Sequence, residues 1–146
     1  MRRLIAIAAV VLALGSPAVA APGSDAAAVV DAFHWALAKG DTKAAAALLT
    51  EDALIFEQGG AERSNAEYAA HHLPADAEFS KAVTSANTSR SAHSASGIAW
   101  VATEGRTTGT YKGKALNQLT TETMVLRQTP KGWKIVHIHW SSAAAR

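Results

Sequence analysis

His137 and His139 stand two residues apart in the run Val136-His137-Ile138-His139-Trp140, a spacing that can carry chemistry. On a strand, period-two alternation puts both imidazoles on one face and the three apolar residues on the other. Two imidazoles side by side present two metal ligands. With His71 or His72 and a carboxylate such as Glu57, they would complete a three- or four-ligand set suited to zinc or copper. The competing reading is a pair of histidines at an interface, titrating near neutral pH. Tyr68 and His71 are three residues apart, so on a helix they share a face and offer a phenol donor beside an imidazole base. His72 lies about a hundred degrees further round. Both histidines also suit the last turn of a helix, where cations are favoured.

Glu122 is a candidate base whose orientation depends on a turn. If Pro130-Lys131 forms a two-residue turn, Glu122 lies opposite His139. If the turn takes Gly132 into a bulge, the register moves by one and Glu122 joins the Trp140 face, on the side of Tyr68 and His71. Trp100 shares a face with Ala102 and Glu104 by the same periodicity, either lining a cavity with them or packing as an ordinary core tryptophan. No cysteine is present, no serine sits in a nucleophile elbow, and no glycine-rich phosphate loop appears, so nucleophilic and nucleotide chemistry find no support.

These residues need elements to hold them. Asp25 to Lys39 predicts a helix with Val29, Phe33 and Leu37 along one face, stopped by Gly40. Asp41 caps a second helix through Ala44–Ala47 to Leu48 and Leu49. Ala53 to Gln58 reads as a strand closed by Gly59-Gly60. Ser64 and Glu67 form a capping box that opens a third helix carrying Tyr68, His71 and His72, ended by Pro74. From Ile98 onward the chain turns β-rich. Ile98–Tyr111, Ala115–Gln128 and Trp133–Trp140 are separated by turn sequences, and Val83–His93 reads as a strand before them. Helices first and strands later predict an α+β class with helices on one face of a sheet.

Arg2 and Arg3, an apolar run from Leu4 to Leu14, and Ala18-Val19-Ala20 read as a signal peptide over residues 1–20, cleaved after Ala20. The mature chain is then periplasmic or secreted, with no stable membrane anchor. Residues 21–24 form a linker and 25–142 one domain, the size of a single core. The full chain carries 14 Lys+Arg and 12 Asp+Glu. Two arginines leave with the signal, which brings the charge to zero and removes the argument for nucleic acid binding.

The order of elements resembles the nuclear transport factor 2 (NTF2)-like superfamily, which includes SnoaL-like polyketide cyclases, ketosteroid isomerase, scytalone dehydratase and the association domain of calcium/calmodulin-dependent protein kinase II. The strings that carry the resemblance are Phe56-Glu57 and Gly132-Trp133-Lys134-Ile135-Val136-His137-Ile138-His139-Trp140-Ser141. It implies a cystatin-like cone, a curved antiparallel sheet with three helices on its concave face and a small-molecule pocket between them. In the kinase domain the position matching Trp140 faces the pocket. Carried over, this implies that Ile138 and Trp140 line the cavity and that His137 and His139 face outward toward a homodimer interface on the sheet; Phe56, Tyr68, His71, Trp100 and Glu122 are the further candidates for ligand binding in the pocket. The kinase domain's pocket arginine has no counterpart in the matching region, where Ala102 and Trp140 stand.

Three functions follow. The first is an exported binding protein for a small apolar or aromatic molecule, with no cofactor and a closed hydrophobic cavity free of converging ionisable groups. The second is an isomerase, cyclase or dehydratase using His71 or Glu122 as base and Tyr68 as donor, which needs a pocket carboxyl or imidazole with a perturbed pKa. The third is copper or zinc handling through Glu57, His72, His137 and His139.

Overall fold

The computed structural model describes residues 23–146, so the signal peptide expected over 1–20, and residues 21 and 22 of the linker, lie outside the described residues. Four helices and six strands follow in the order α1 (Ser24–Lys39), α2 (Thr42–Ala47), β1 (Leu49–Glu57), β2 (Gly60–Glu62), α3 (Asn65–His71), α4 (Leu73–Ala82), β3 (Val83–Ala95), β4 (Ile98–Tyr111), β5 (Lys114–Thr129) and β6 (Gly132–Ala144). The strands form one sheet in the order β2-β1-β6-β5-β4-β3. It is mixed rather than wholly antiparallel, because β1 runs parallel to β6.

Local chemistry sets most of these boundaries. Gly40 ends α1 in the left-handed region at φ 74, donating back to Leu37, a conformation that costs glycine little. The Asp41 side chain accepts from the Ala44 amide at 2.9 Å and opens α2. Ser64 caps α3 by accepting from the Glu67 amide at 3.0 Å, while Glu67 reaches back to the Arg63 amide, one residue beyond the usual partner.

Pro74 does not simply end a helix. It sits in the first turn of α4, a helix beyond those expected from the sequence. There a missing N–H costs nothing, and the fixed φ of proline suits helix entry. Among the described residues the count of helices is therefore four, not three.

The core lies between the helices and one sheet face. Ala26, Val30, Phe33 and Leu37 of α1 are buried against Val101 of β4, Met124 and Leu126 of β5, and Ile135 and Ile138 of β6. The stripe on α1 is thus rotated slightly from the expected one, with Val29 only half-buried.

The β5–β6 hairpin decides what faces that core. Thr129 pairs with Gly132, so Pro130-Lys131 is a two-residue turn. The register then shifts: Leu126 pairs with Ile135 but Val125 with His137, which leaves Val136 as an extra residue on β6. Beyond this bulge Glu122 pairs with Trp140. The outcome matches the second of the two registers considered, although the bulge sits at Val136 and not at Gly132. Burial explains the choice. Without it, His137 and His139 would face the core, and Ile138 and Trp140 would face outward.

Candidate functional site

A cavity of about 830 Å³ opens between α1, α4 and the helix-side face of β3–β6. Two carboxyl-centred groups of side chains stand in its wall.

The first is built on Glu122, which is 9% exposed. Its Oε2 accepts from Trp140 Nε1 at 2.7 Å and contacts His34 Nε2 at 2.7 Å. Its Oε1 is buried without a hydrogen-bond partner among the described residues. Burial pushes this carboxyl up, but the hydrogen bond and charge of His34, the Trp140 N–H and the nearby Arg90 outweigh it and hold the group below the usual glutamate range. Trp140 is itself fixed between Phe33, stacked at 6.3 Å between centroids, and Tyr68 at 6.5 Å.

The second group is built on Asp76. Tyr68 OH, fully buried, donates to Asp76 Oδ2 at 2.7 Å. Burial and the negative charge of Glu57 push Asp76 up to about 6, against the lowering effects of the Tyr68 hydrogen bond and His72. Burial and the Asp76 charge in turn push the Tyr68 hydroxyl well above its ordinary value. Around these, His72 contacts the buried carboxylate of Glu62. Arg90 donates to Asp31 Oδ1 at 2.6 Å and to Thr103 Oγ1 at 3.1 Å.

The structure brings some of the expected site residues together and separates others. Glu122 and Trp140 line the cavity, Tyr68 reaches its wall through Asp76, and Ile138 is packed in the core beneath. Phe56 and Trp100 lie on the opposite face of the sheet, 38% and 40% exposed. Phe56 sits edge-on to His137 and His139, and Trp100 stands 4.9 Å from His93. Adjacent strand residues point to opposite faces, so Phe56 and Glu57 cannot share one; Glu57 takes the cavity. His71, the last residue of α3, is exposed and outside the wall, and its place is taken by His72. Glu57 and His72 are consequently separated by the sheet from His137 and His139. Among the described residues, no three His, Asp or Glu side chains gather as metal ligands.

Three functional side chains escaped sequence reading. Asp76 was signalled by Pro74, since a proline in the first turn places Asp76 where an acidic residue is favoured. His34 follows Phe33 on α1 and so borders the apolar stripe. Arg90 comes from a Ser- and Asn-rich strand with no apolar alternation to orient it, and it places an arginine in the cavity wall.

The Glu122 pair yields a direct expectation. His34→Ala removes the main opposing influence, so burial should lift the Glu122 carboxyl above the ordinary glutamate value. Glu122 now contributes stability in full above its ordinary value of 4.5 and loses it as pH falls through the depressed folded value. In the variant that contribution should disappear, at a cost of about 1–2 kcal/mol at neutral pH given that His34 is 42% exposed. Carboxyl NMR titration paired with pH-dependent melting checks both statements.

The model of the SnoaL-like domain matches residues 26–145. A solved structure of a ketosteroid isomerase candidate from Shewanella frigidimarina NCIMB 400 shares 38% identity over 81% of this chain and 95% of its own, with a TM-score of 0.78. A dehydratase candidate of the NTF2-like family from Streptomyces avermitilis shares 19% identity over 83% of this chain and 95% of its own, with a TM-score of 0.67. The calcium/calmodulin-dependent protein kinase II hub of S. rosetta shares 19% over 85% and 98%, with a TM-score of 0.68. These last two likenesses concern the fold alone. No curated protein matches the chain. With a family match across the described domain, and a curved open sheet backed by helices, this chain belongs to the SnoaL-like family of the NTF2-like, cystatin-like fold.

Proposed function

We propose that the cavity binds a small, partly apolar molecule and moves a proton on it, as an isomerase or dehydratase of the SnoaL-like kind. The observation that carries this reading is Asp76, a cavity carboxyl held by the buried Tyr68 hydroxyl and raised to about 6, in the same cavity wall as a Glu122 held low. Two carboxyls driven apart in one site supply distinct acid and base roles. A simple binding cavity would not need them.

Tyr68 anchors Asp76 through Oδ2, which leaves Oδ1 for substrate. Near neutral pH Asp76 is ionised with a pKa close to the working range, the condition for an efficient general base. It takes a proton from a carbon next to a carbonyl, the electron pair moves onto the carbonyl oxygen, and the proton returns at another carbon. Glu122, pinned by His34 and Trp140, stays ionised and orients the substrate. Export after Ala20 and a homodimer through the outer sheet face belong to the same reading. The exposed Phe56, Trp100, Ile98 and Leu119 support the dimer.

The test is to incubate the protein with β,γ-unsaturated ketones, steroidal and non-steroidal, in D2O. Conjugation is followed by absorbance and exchange by mass spectrometry. Deuterium uptake with an apparent pKa near 6 supports the reading. No uptake by any ketone that raises the melting temperature would return the protein to a binding role.

A further inference from the structure

We infer that the molecule recognised by this cavity carries a protonated amine, which Glu122 Oε1 receives and the Glu57 carboxylate of the same wall attracts. This deepens the proposed function by naming the ligand class, and it rests on that reading only for the location of the cavity.

Charge is the first argument. Asp31, Glu57, Asp76 and Glu122 line the cavity against Arg90, His34 and His72, so negative charge is in excess at neutral pH, where Asp76 is ionised. The positive groups are also committed. Arg90 is held by Asp31, His34 by Glu122, and His72 by Glu62, which is itself buried outside the lining. Asp76 has a phenol for a partner, and among the described residues no cation directly contacts it and the Glu57 side chain has no hydrogen bond or ion pair.

The second argument is independent of the count. Glu122 is about nine-tenths buried, yet among the described residues its Oε1 accepts no hydrogen bond. A buried carboxylate oxygen without a donor is costly, and native structures keep such atoms where a ligand or water completes them. The donor cannot come from Trp140, whose one N–H is already on Oε2, nor from the His34 nitrogen that meets the same oxygen. His34, which meets Oε2, is 42% exposed and lines the same cavity. An ammonium has three donors and no acceptor, which suits a wall of carboxylates; a ligand carboxylate would be repelled by the same wall.

Isothermal titration with three probes of one shape tests this: 2-phenylethylamine, 2-phenylethanol and 3-phenylpropionate. The amine should bind at least about tenfold tighter than either other probe, as charged hydrogen bonds require. Glu122→Gln and Glu57→Gln should each reduce amine affinity several-fold more than they reduce alcohol affinity. If Glu122→Gln does not fold, Glu57→Gln alone decides. Equal or tighter binding of the alcohol or the acid overturns the inference. So does amine binding that neither variant alters, since a water would then satisfy Oε1 and the amine would be held elsewhere. Proton transfer is read on uncharged ketones, so failure there and failure of amine recognition remain separate results.

Discussion

Asp76→Asn is expected to lower the proton-transfer rate by about 10²–10⁴-fold, the range general-base catalysis supplies, while making the protein more stable at neutral pH. Both effects have one cause. Burial and the Glu57 charge raise Asp76 from 3.8 to about 6, so the folded protein holds this proton more tightly than the unfolded chain does. Between those two values the native state binds more protons than the unfolded state, and stability falls as pH rises through the window. Above about pH 6 the full penalty is present. A shift of that size has a ceiling near 3 kcal/mol, and because Asp76 is only half-buried, about 1–2 kcal/mol is the reasonable expectation. Asparagine removes the charge and can still accept from Tyr68. The variant should therefore melt higher than wild type at pH 7 and lose that advantage toward pH 4. Melting curves across pH, beside rates on a ketone that wild type turns over, check the pair of effects. A variant that keeps its rate would assign the base elsewhere, with Glu122 next in line.

The fold was largely legible because the signals that set it are local. Gly40, Asp41 and Ser64 each act within four residues, and the strand-rich second half declares itself in Thr, Val and Ile. The site was less legible, because its members meet through tertiary contacts. Asp76 belongs to a helix that the sequence reading ended at Pro74. His34 and Glu122 are joined only when α1 lies across β5. The face of Glu122 depended on a single extra residue. A bulge at Val136 and a bulge at Gly132 give the same register downstream, and the sequence distinguishes them by no propensity, only by the global gain from burying Ile138 and Trp140 instead of two histidines. Phe56 and Trp100 show the opposite limit. Where a strand is apolar on both faces, as in Ile98-Ala99-Trp100-Val101, alternation cannot say which side is the core.

Phe33 and Phe56 put that limit to a quantitative test. Phe33 is fully buried, stacks on Trp140 at 6.3 Å and meets His34 edge-on at 5.8 Å. Phe33→Ala should cost about 3–5 kcal/mol, which at about 4 °C per kcal/mol for a domain of this size is a drop of roughly 12–20 °C. The cavity it leaves lies beside the ring whose N–H holds Glu122, so tryptophan emission should shift as well and turnover should fall with stability. Phe56 is the same residue type on the other face of the sheet. With its ring 38% exposed and only imidazole edges for neighbours, Phe56→Ala should cost about 1 kcal/mol or less. Thermal melts of both variants at a protein concentration too low for self-association separate the faces. If Phe56→Ala proves as costly as Phe33→Ala there, the outer face is part of the core, and the proposed dimer surface would have no apolar area to spare.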